Sequence, residues 1–276
     1  MIRSRSVLGL AVFAVGALAL MACGSSNKTS STPTSAAPAA SSSPAAATPA
    51  AASDASIKIV QPAGGWTFAN GELDVQVAVK GLTMDGTKIG QPAAQNPGVG
   101  HWHVYVDGTY AGLSVSDVVA IPNDAMPQIS AGMHEIKVQL HHTDHTPLTP
   151  EVTDTAMINF PTALSYAPAS GGPSIDFAGA PTVDGKRVVV HVAVAGLTLD
   201  GTKIGQPAAQ TPGVGHWHVY VDGTYAGLSV SNVISLPNDA MPTIAPGPHE
   251  IKVQLHHTDH TPLTPEQSKT MMFTFP

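Results

Sequence analysis

Residues 81–161 of this 276-residue chain return at 196–276 with a constant offset of 115 and no gap. A chain that repeats itself over about 100 residues folds as two copies of one unit, each of ordinary domain size. The aligned copies run over 56–161 and 174–276, and ahead of Gly196 the second is three residues shorter. Between them, residues 162–173 are rich in Ala, Ser, Pro and Gly and read as a short hinge.

Each copy carries the alternation of a strand with one face buried. Leu73, Val75, Val77 and Val79 alternate with polar or small residues, Trp102, Val104 and Val106 with His101, His103 and Tyr105, and Ile136, Val138 and Leu140 with Glu135, Lys137, Gln139 and His141. Asp107-Gly108 and Asp222-Gly223 have the chemistry of two-residue hairpin turns. Long helical periodicity is absent. The expected fold is all-β: two tandem immunoglobulin-like antiparallel β-sandwich domains, following a disordered tether. One loop per copy is unusually long, 85–100 and 200–215, and each leads directly into a histidine.

Divergence between the copies is uneven. Residues 81–116 and 196–231 differ only at Met84/Leu199 and Asn96/Thr211, and residues 134–151 and 249–266 are identical. Those segments hold twelve of the thirteen histidines at matched positions, leaving only His191 unmatched. Identity concentrated there marks a constraint on the histidines.

The N-terminus predicts export. Arg3 and Arg5 precede an apolar stretch from Val7 to Leu20, too short to span a bilayer comfortably. Leu20-Met21-Ala22-Cys23 resembles a bacterial lipobox, so residues 1–22 read as a lipoprotein signal peptide and Cys23 as the lipidated N-terminus. Residues 23–55 are then the lipidated cysteine and a tether of Ser, Ala, Thr and Pro, with a coil reach of roughly 30 Å. The expected location is the cell membrane, lipid-anchored and facing the extracytoplasmic side. The formal charge is −7, and −9 without Arg3 and Arg5. With no basic patch, nucleic acid is excluded as a partner. Cys23 is the only cysteine, so no disulfide supports the fold.

Residues i and i+2 of a strand share a face about 6.5–7 Å apart, so His101 and His103 point the same way. His141 lies outward on another strand, and His142, Asp144 and His145 stand where that strand breaks into a turn. If the two strands are neighbours, these side chains converge. Neutral imidazoles with a nearby carboxylate suit copper or zinc. The candidate metal residues are His101, His103, His141, His142, His145 and Asp144, repeated as His216, His218, His256, His257, His260 and Asp259. Asp144 is either a ligand or a partner that orients a histidine.

The alternative is that the histidines only hydrogen-bond across strands, and that the module presents its long loops to a cell-wall polymer or a partner protein. His134 and His249, at a strand start, are expected to be structural, and Met126 and Met241 to be loop residues packing on the sandwich. Tyr105, Tyr110, Tyr220 and Tyr225 offer a minor aromatic surface for glycan. No nucleophile motif accompanies the histidines, so the chain does not read as an enzyme; a metal-dependent hydrolase is the remote alternative.

The order Gly100, His101, His103, Asp107, then Gly132, His134, Leu140, then His145 and Pro147 resembles an uncharacterised family of small exported bacterial β-domains. The resemblance covers about half of each repeat and implies a β fold and an exported location. It implies no activity. His141 and His142 lie outside the shared pattern.

Overall fold

The computed structural model describes residues 54–61, 68–69 and 71–276. The expected signal peptide, the expected lipidation site Cys23 and nearly all of the expected tether lie outside the described residues, and no helix among the described residues is long and apolar enough to cross a membrane.

The first repeat is built from seven main strands: β1 (Ser56–Gln61), β2 (Glu72–Lys80), β3 (Val99–Val106), β4 (Thr109–Ser114), β5 (Val118–Ile121), β6 (Gly132–His142) and β7 (Thr153–Phe160). β2 is flanked by β1 and β5 in one antiparallel sheet. β6 lies between β7 and β3 in the other, and β3 continues to β4. The second repeat repeats this with β8 (Ser174–Phe177), β9 (Arg187–Ala195), β10 (Val214–Val221), β11 (Thr224–Ser229), β12 (Val233–Leu236), β13 (Gly247–His257) and β14 (Ser268–Phe275). This is the all-β, immunoglobulin-like sandwich that the alternation predicts.

The cores follow from that alternation. Trp102, Val104, Val138, Leu140, Val75 and Ile158 interleave between the sheets of repeat 1, and Trp217, Val219, Val253, Leu255 and Val190 between those of repeat 2. Trp102 is fully buried and donates its indole N–H to the Ser116 carbonyl at 2.7 Å. The β3–β4 turn has Asp107 at φ 49° and Gly108 at φ 77°. Positive φ at both central residues matches the twist of the flanking strands.

Both repeats belong to one compact unit. The segment expected to be a hinge is stitched to both sandwiches. Leu164 and Ser165 pair with Ile129 and Gln128 of repeat 1, and Ala169 bridges to Ala195 of repeat 2. Part of each long loop forms a contact between the repeats, while Pro92, Ala94, Gln95, Pro97 and Gly98 of the first are exposed. Ile89 and Ile204, one from each loop, bury against Leu113, Val115, Leu228 and Val230. Val118, Ala120, Val189 and Val233 form a second shared apolar cluster.

Candidate metal centre

β3 and β6 are paired so that His101 lies directly opposite His141, and His103 opposite Gln139. His101, His103, Tyr105 and His141 therefore share the sheet face turned away from the core. His145 joins them from the turn after β6. It sits at φ 65°, a left-handed conformation uncommon for a side-chain-bearing residue. The turn is closed by His145 N donating to the His142 carbonyl at 3.1 Å and His142 N donating to the Thr146 carbonyl at 2.8 Å.

The result is one knot of imidazoles per repeat. His101 Nε2 lies 2.9 Å from His103 Nε2. In the second repeat, His216 Nε2 and His218 Nε2 are 2.9 Å apart, and His260 Nδ1 stands 3.1 Å and 3.5 Å from them. Two ligands 2.0–2.1 Å from a tetrahedral ion lie about 3.3 Å apart. The triangle of nitrogens has close to that edge length. His101, His103 and His145 form the corresponding group, with ligand atoms within 4.8 Å of one another.

Hydrogen bonding fixes the tautomers around the triad. His141 Nδ1 is 2.8 Å from the His145 carbonyl, which only accepts, so Nδ1 carries the proton. His141 Nε2 is then a bare lone pair and accepts from the Tyr105 hydroxyl at 3.3 Å. That hydroxyl has a single hydrogen, so its 3.3 Å contact with His103 Nδ1 requires Nδ1–H of His103 as donor. The Nε2 lone pair of His103 therefore faces the triad. The second repeat has the same chain through His256, Tyr220 and His218. A ligating histidine held by its other ring nitrogen is the usual way to orient a metal ligand.

Burial keeps the cluster neutral. His101 is fully buried and His103 only 6% exposed. Desolvation, followed by repulsion from the neighbouring imidazoles, holds His101 well below 6.5 and pushes His103 down to about 2. Burial also lowers His141 and His145. Several buried nitrogens have no hydrogen-bond partner among the described residues: Nδ1 of His101 and His216, both ring nitrogens of His145, and Nε2 of His260. Neutral imidazoles with lone pairs and buried nitrogens left unpaired form a donor set that fits zinc or copper.

Of the candidates named from sequence, the triads take His101, His103 and His145, and His216, His218 and His260. His141 and His256 orient the triads through the tyrosines. His142 and His257 are on the opposite parity of the strand and stay out of the cluster. Asp144 and Asp259 hold the turns: Asp144 Oδ1 accepts from Thr146 N at 3.2 Å and Thr146 Oγ1 at 2.6 Å, and its Oδ2 from Ala93 N at 3.3 Å. An Asp followed two residues later by Thr is the sequence signal for such a turn. His134 and His249 pair with Asp107 and Asp222 at 2.6 Å. Tyr110 is half-buried and edge-on to His103 at 5.2 Å. Met126 and Met241 pack against the cores.

No family model and no curated protein matches the chain. Among solved structures, it is similar to the fibronectin(III)-like modules of Clostridium thermocellum CbhA, at 13% identity over 79% of this chain and 93% of that one, with a TM-score of 0.25. It is also similar to SGBP-B of the Bacteroides ovatus mixed-linkage glucan utilization locus, at 10% identity over 79% of this chain and 47% of that one, with a TM-score of 0.20. A biofilm-associated protein BSP domain aligns at 13% identity over 74% of this chain and 27% of that one, with a TM-score of 0.19.

Proposed function

We propose that each repeat binds one transition-metal ion, copper or zinc, through three histidines: His101, His103 and His145 in the first, and His216, His218 and His260 in the second. The observation that carries this is the triangle of ring nitrogens, with edges of 2.9, 3.1 and 3.5 Å in the second repeat and ligand atoms within 4.8 Å in the first. One N–H of His216 shared between His218 and His260 accounts for the two shorter edges. What favours a cation is that the same nitrogens, the His218 lone pair among them, are spaced like the ligands of a tetrahedral ion.

The role is retention and not turnover. Two histidines of each triad are 0% and 6% exposed and the third is half-buried, which admits an ion but leaves little room for an organic substrate. The lipobox-like N-terminus supports a membrane-anchored, extracytoplasmic lipoprotein, placed where metals arrive from outside.

The test is elemental analysis of the untagged protein, followed by thermal unfolding with added Zn²⁺ or Cu²⁺. A stoichiometry near two is expected, with a melting shift that disappears in the His103→Ala/His218→Ala double variant. No bound ion and no shift at tens of micromolar metal would overturn the reading. The imidazoles would then be cross-strand structure, and the chain a module for a wall polymer or partner protein.

A further inference from the structure

The loops that lead into the histidine strands reach across to the other repeat. Asp85 Oδ1 caps the short turn Gly86–Lys88, accepting from Thr87 N at 2.9 Å and Thr87 Oγ1 at 2.7 Å. The preceding residue, Met84, donates its N–H to Asp239 Oδ2 of repeat 2 at 2.6 Å. The following residue, Gly86, lies so close to Leu228 that a Cβ would stand 2.6 Å from that side chain. Leu228 is the cross-strand partner of His218, and Tyr225 on the same strand is edge-on to His218 at 5.2 Å. Asp85 is thus clamped on both sides against the part of repeat 2 that backs its triad.

The reverse contact is equivalent. Asp200 caps Gly201–Lys203, Leu199 N donates to Asp124 Oδ2 at 2.8 Å, and a Cβ on Gly201 would stand 2.6 Å from the Leu113 side chain. Leu113 is the cross-strand partner of His103. A cleft of about 250 Å³ remains here between the repeats, and Tyr110, Asp124 and Asp200 share its wall. Tyr110, on the wall of that cleft with Asp200, is edge-on to His103 at 5.2 Å.

Three neutral imidazoles leave both charges of a divalent ion uncompensated in a buried place, which is costly. A carboxylate held nearby lowers that cost whether or not it coordinates. We propose that each metal site is a composite of both repeats: Asp200 supports the His101–His103–His145 site and Asp85 the His216–His218–His260 site. This rests on the metal-binding reading above and adds a specific crossed dependence to it.

The crossing is its own test. In the untagged full chain, His218→Ala disables the second site and leaves the first. Zn²⁺ affinity is then measured by competition with a chromophoric chelator. Asp200→Asn in that background is expected to lower affinity about 10–100-fold, the range for groups that support a ligand shell. Asp85→Asn is expected to change it less than about twofold. In a His103→Ala background the two variants exchange roles. Asparagine keeps an oxygen for the turn cap, so the loop geometry is retained. If His218→Ala fails to fold, His260→Ala on the turn disables the same site. Equal effects of the two variants, or dependence on the aspartate of the same repeat, would overturn the composite site while leaving metal binding intact. Absence of zinc binding by the wild-type protein would instead overturn the metal-site reading, and this inference with it.

Discussion

The two repeats agree residue for residue where the histidines sit and in the loop contact around Ile89 and Ile204, and disagree in the charged patch where Glu72 and Arg187 meet the other repeat. The His101–His103 and His216–His218 contacts are both 2.9 Å, and the tyrosine relays beside them match within 0.1 Å. At the shared interface, Glu72 of repeat 1 occupies the place of Arg187 in repeat 2, and Asp117 the place of Asn232. The contacts cross: Arg187 forms an ion pair with Asp117, and Asn232 donates to Glu72 at 2.7 Å. Two copies of repeat 1 meeting through this face would set Glu72 against Asp117, carboxylate against carboxylate. Two copies of repeat 2 would set Arg187 against Asn232 and lose the ion pair. Divergence here selects pairing of unlike repeats, and identity at the triads preserves one chemistry twice.

The largest test of the identical half is pH. Eight histidines are held below their ordinary value, chiefly by burial: His101, His103, His141, His145 and their counterparts His216, His218, His256 and His260. A group depressed in the folded state binds a proton first when unfolded. The metal-free fold therefore loses stability as pH falls below about 6.5, by about 1.4 kcal/mol per pH unit for each group still neutral in the fold, which holds furthest for His101, His103, His216 and His218. His191 and His249 are raised and act in the opposite sense, but they are two against eight. Against a typical stability of about 5–15 kcal/mol, cooperative folding should be lost before pH 4. Thermal melts in chelator from pH 7.5 to 4 check this, and a flat melting temperature down to pH 5 would contradict it. Both repeats should unfold together.

The core comes next in size. Trp102→Ala should cost about 3–5 kcal/mol, and Trp217→Ala the same within about 0.5. Each indole is fully buried and donates to a serine carbonyl at 2.7 Å. Denaturant unfolding measures both, and a large inequality would break the equivalence of the two cores.

A smaller effect probes the diverged half. Arg187→Glu brings a carboxylate to Asp117 and to the nearby Asp184, and should cost about 2 kcal/mol, between the ranges for exposed and buried pairs. Adding Asp117→Arg should recover most of the loss, because the two positions are directly coupled. If the double variant is no better than the single one, the crossed charges do not set the pairing.

Strand alternation made the sandwich legible, and it sorted His101, His103 and His141 from Trp102 and Leu140 correctly. It did not reveal that the outward face is covered. His101 reads as half-exposed in a strand pattern, yet it is fully buried under the knot of neighbouring rings. His145 was nameable as a candidate, but its entry into the triad depends on a left-handed backbone that no periodicity encodes. His142 was separable from His141 by parity alone. The inter-repeat contact was the least visible, because it joins residues more than 70 positions apart. Its one trace in the sequence is the exchange of charge at aligned positions, Glu72 with Arg187, where the surrounding apolar pattern is unchanged.

The same exchange occurs on the solvent side, and there it should matter least. Lys58 pairs with Asp154 at 3.1 Å in repeat 1; at the aligned positions of repeat 2 the charges are reversed, Asp176 pairing with Lys269 at 3.2 Å. The Lys58 side chain is 70% exposed, so Lys58→Ala should cost no more than about 0.5 kcal/mol, and Lys269→Ala the same. The acids are not equivalent. Asp154 also accepts the Ile59 backbone N–H at 2.9 Å and so fastens β1 to β7, whereas Asp176 reaches only the N–H of its neighbour Phe177. Asp154→Ala should therefore cost about 1 kcal/mol, the net value of a hydrogen bond to a strand edge, and Asp176→Ala about half that or less. Chemical denaturation of the four single variants resolves the order. Equal losses at the two acids would mean that the reversed pair fastens its strand as well as the original, and that the polarity of this bridge drifted without consequence.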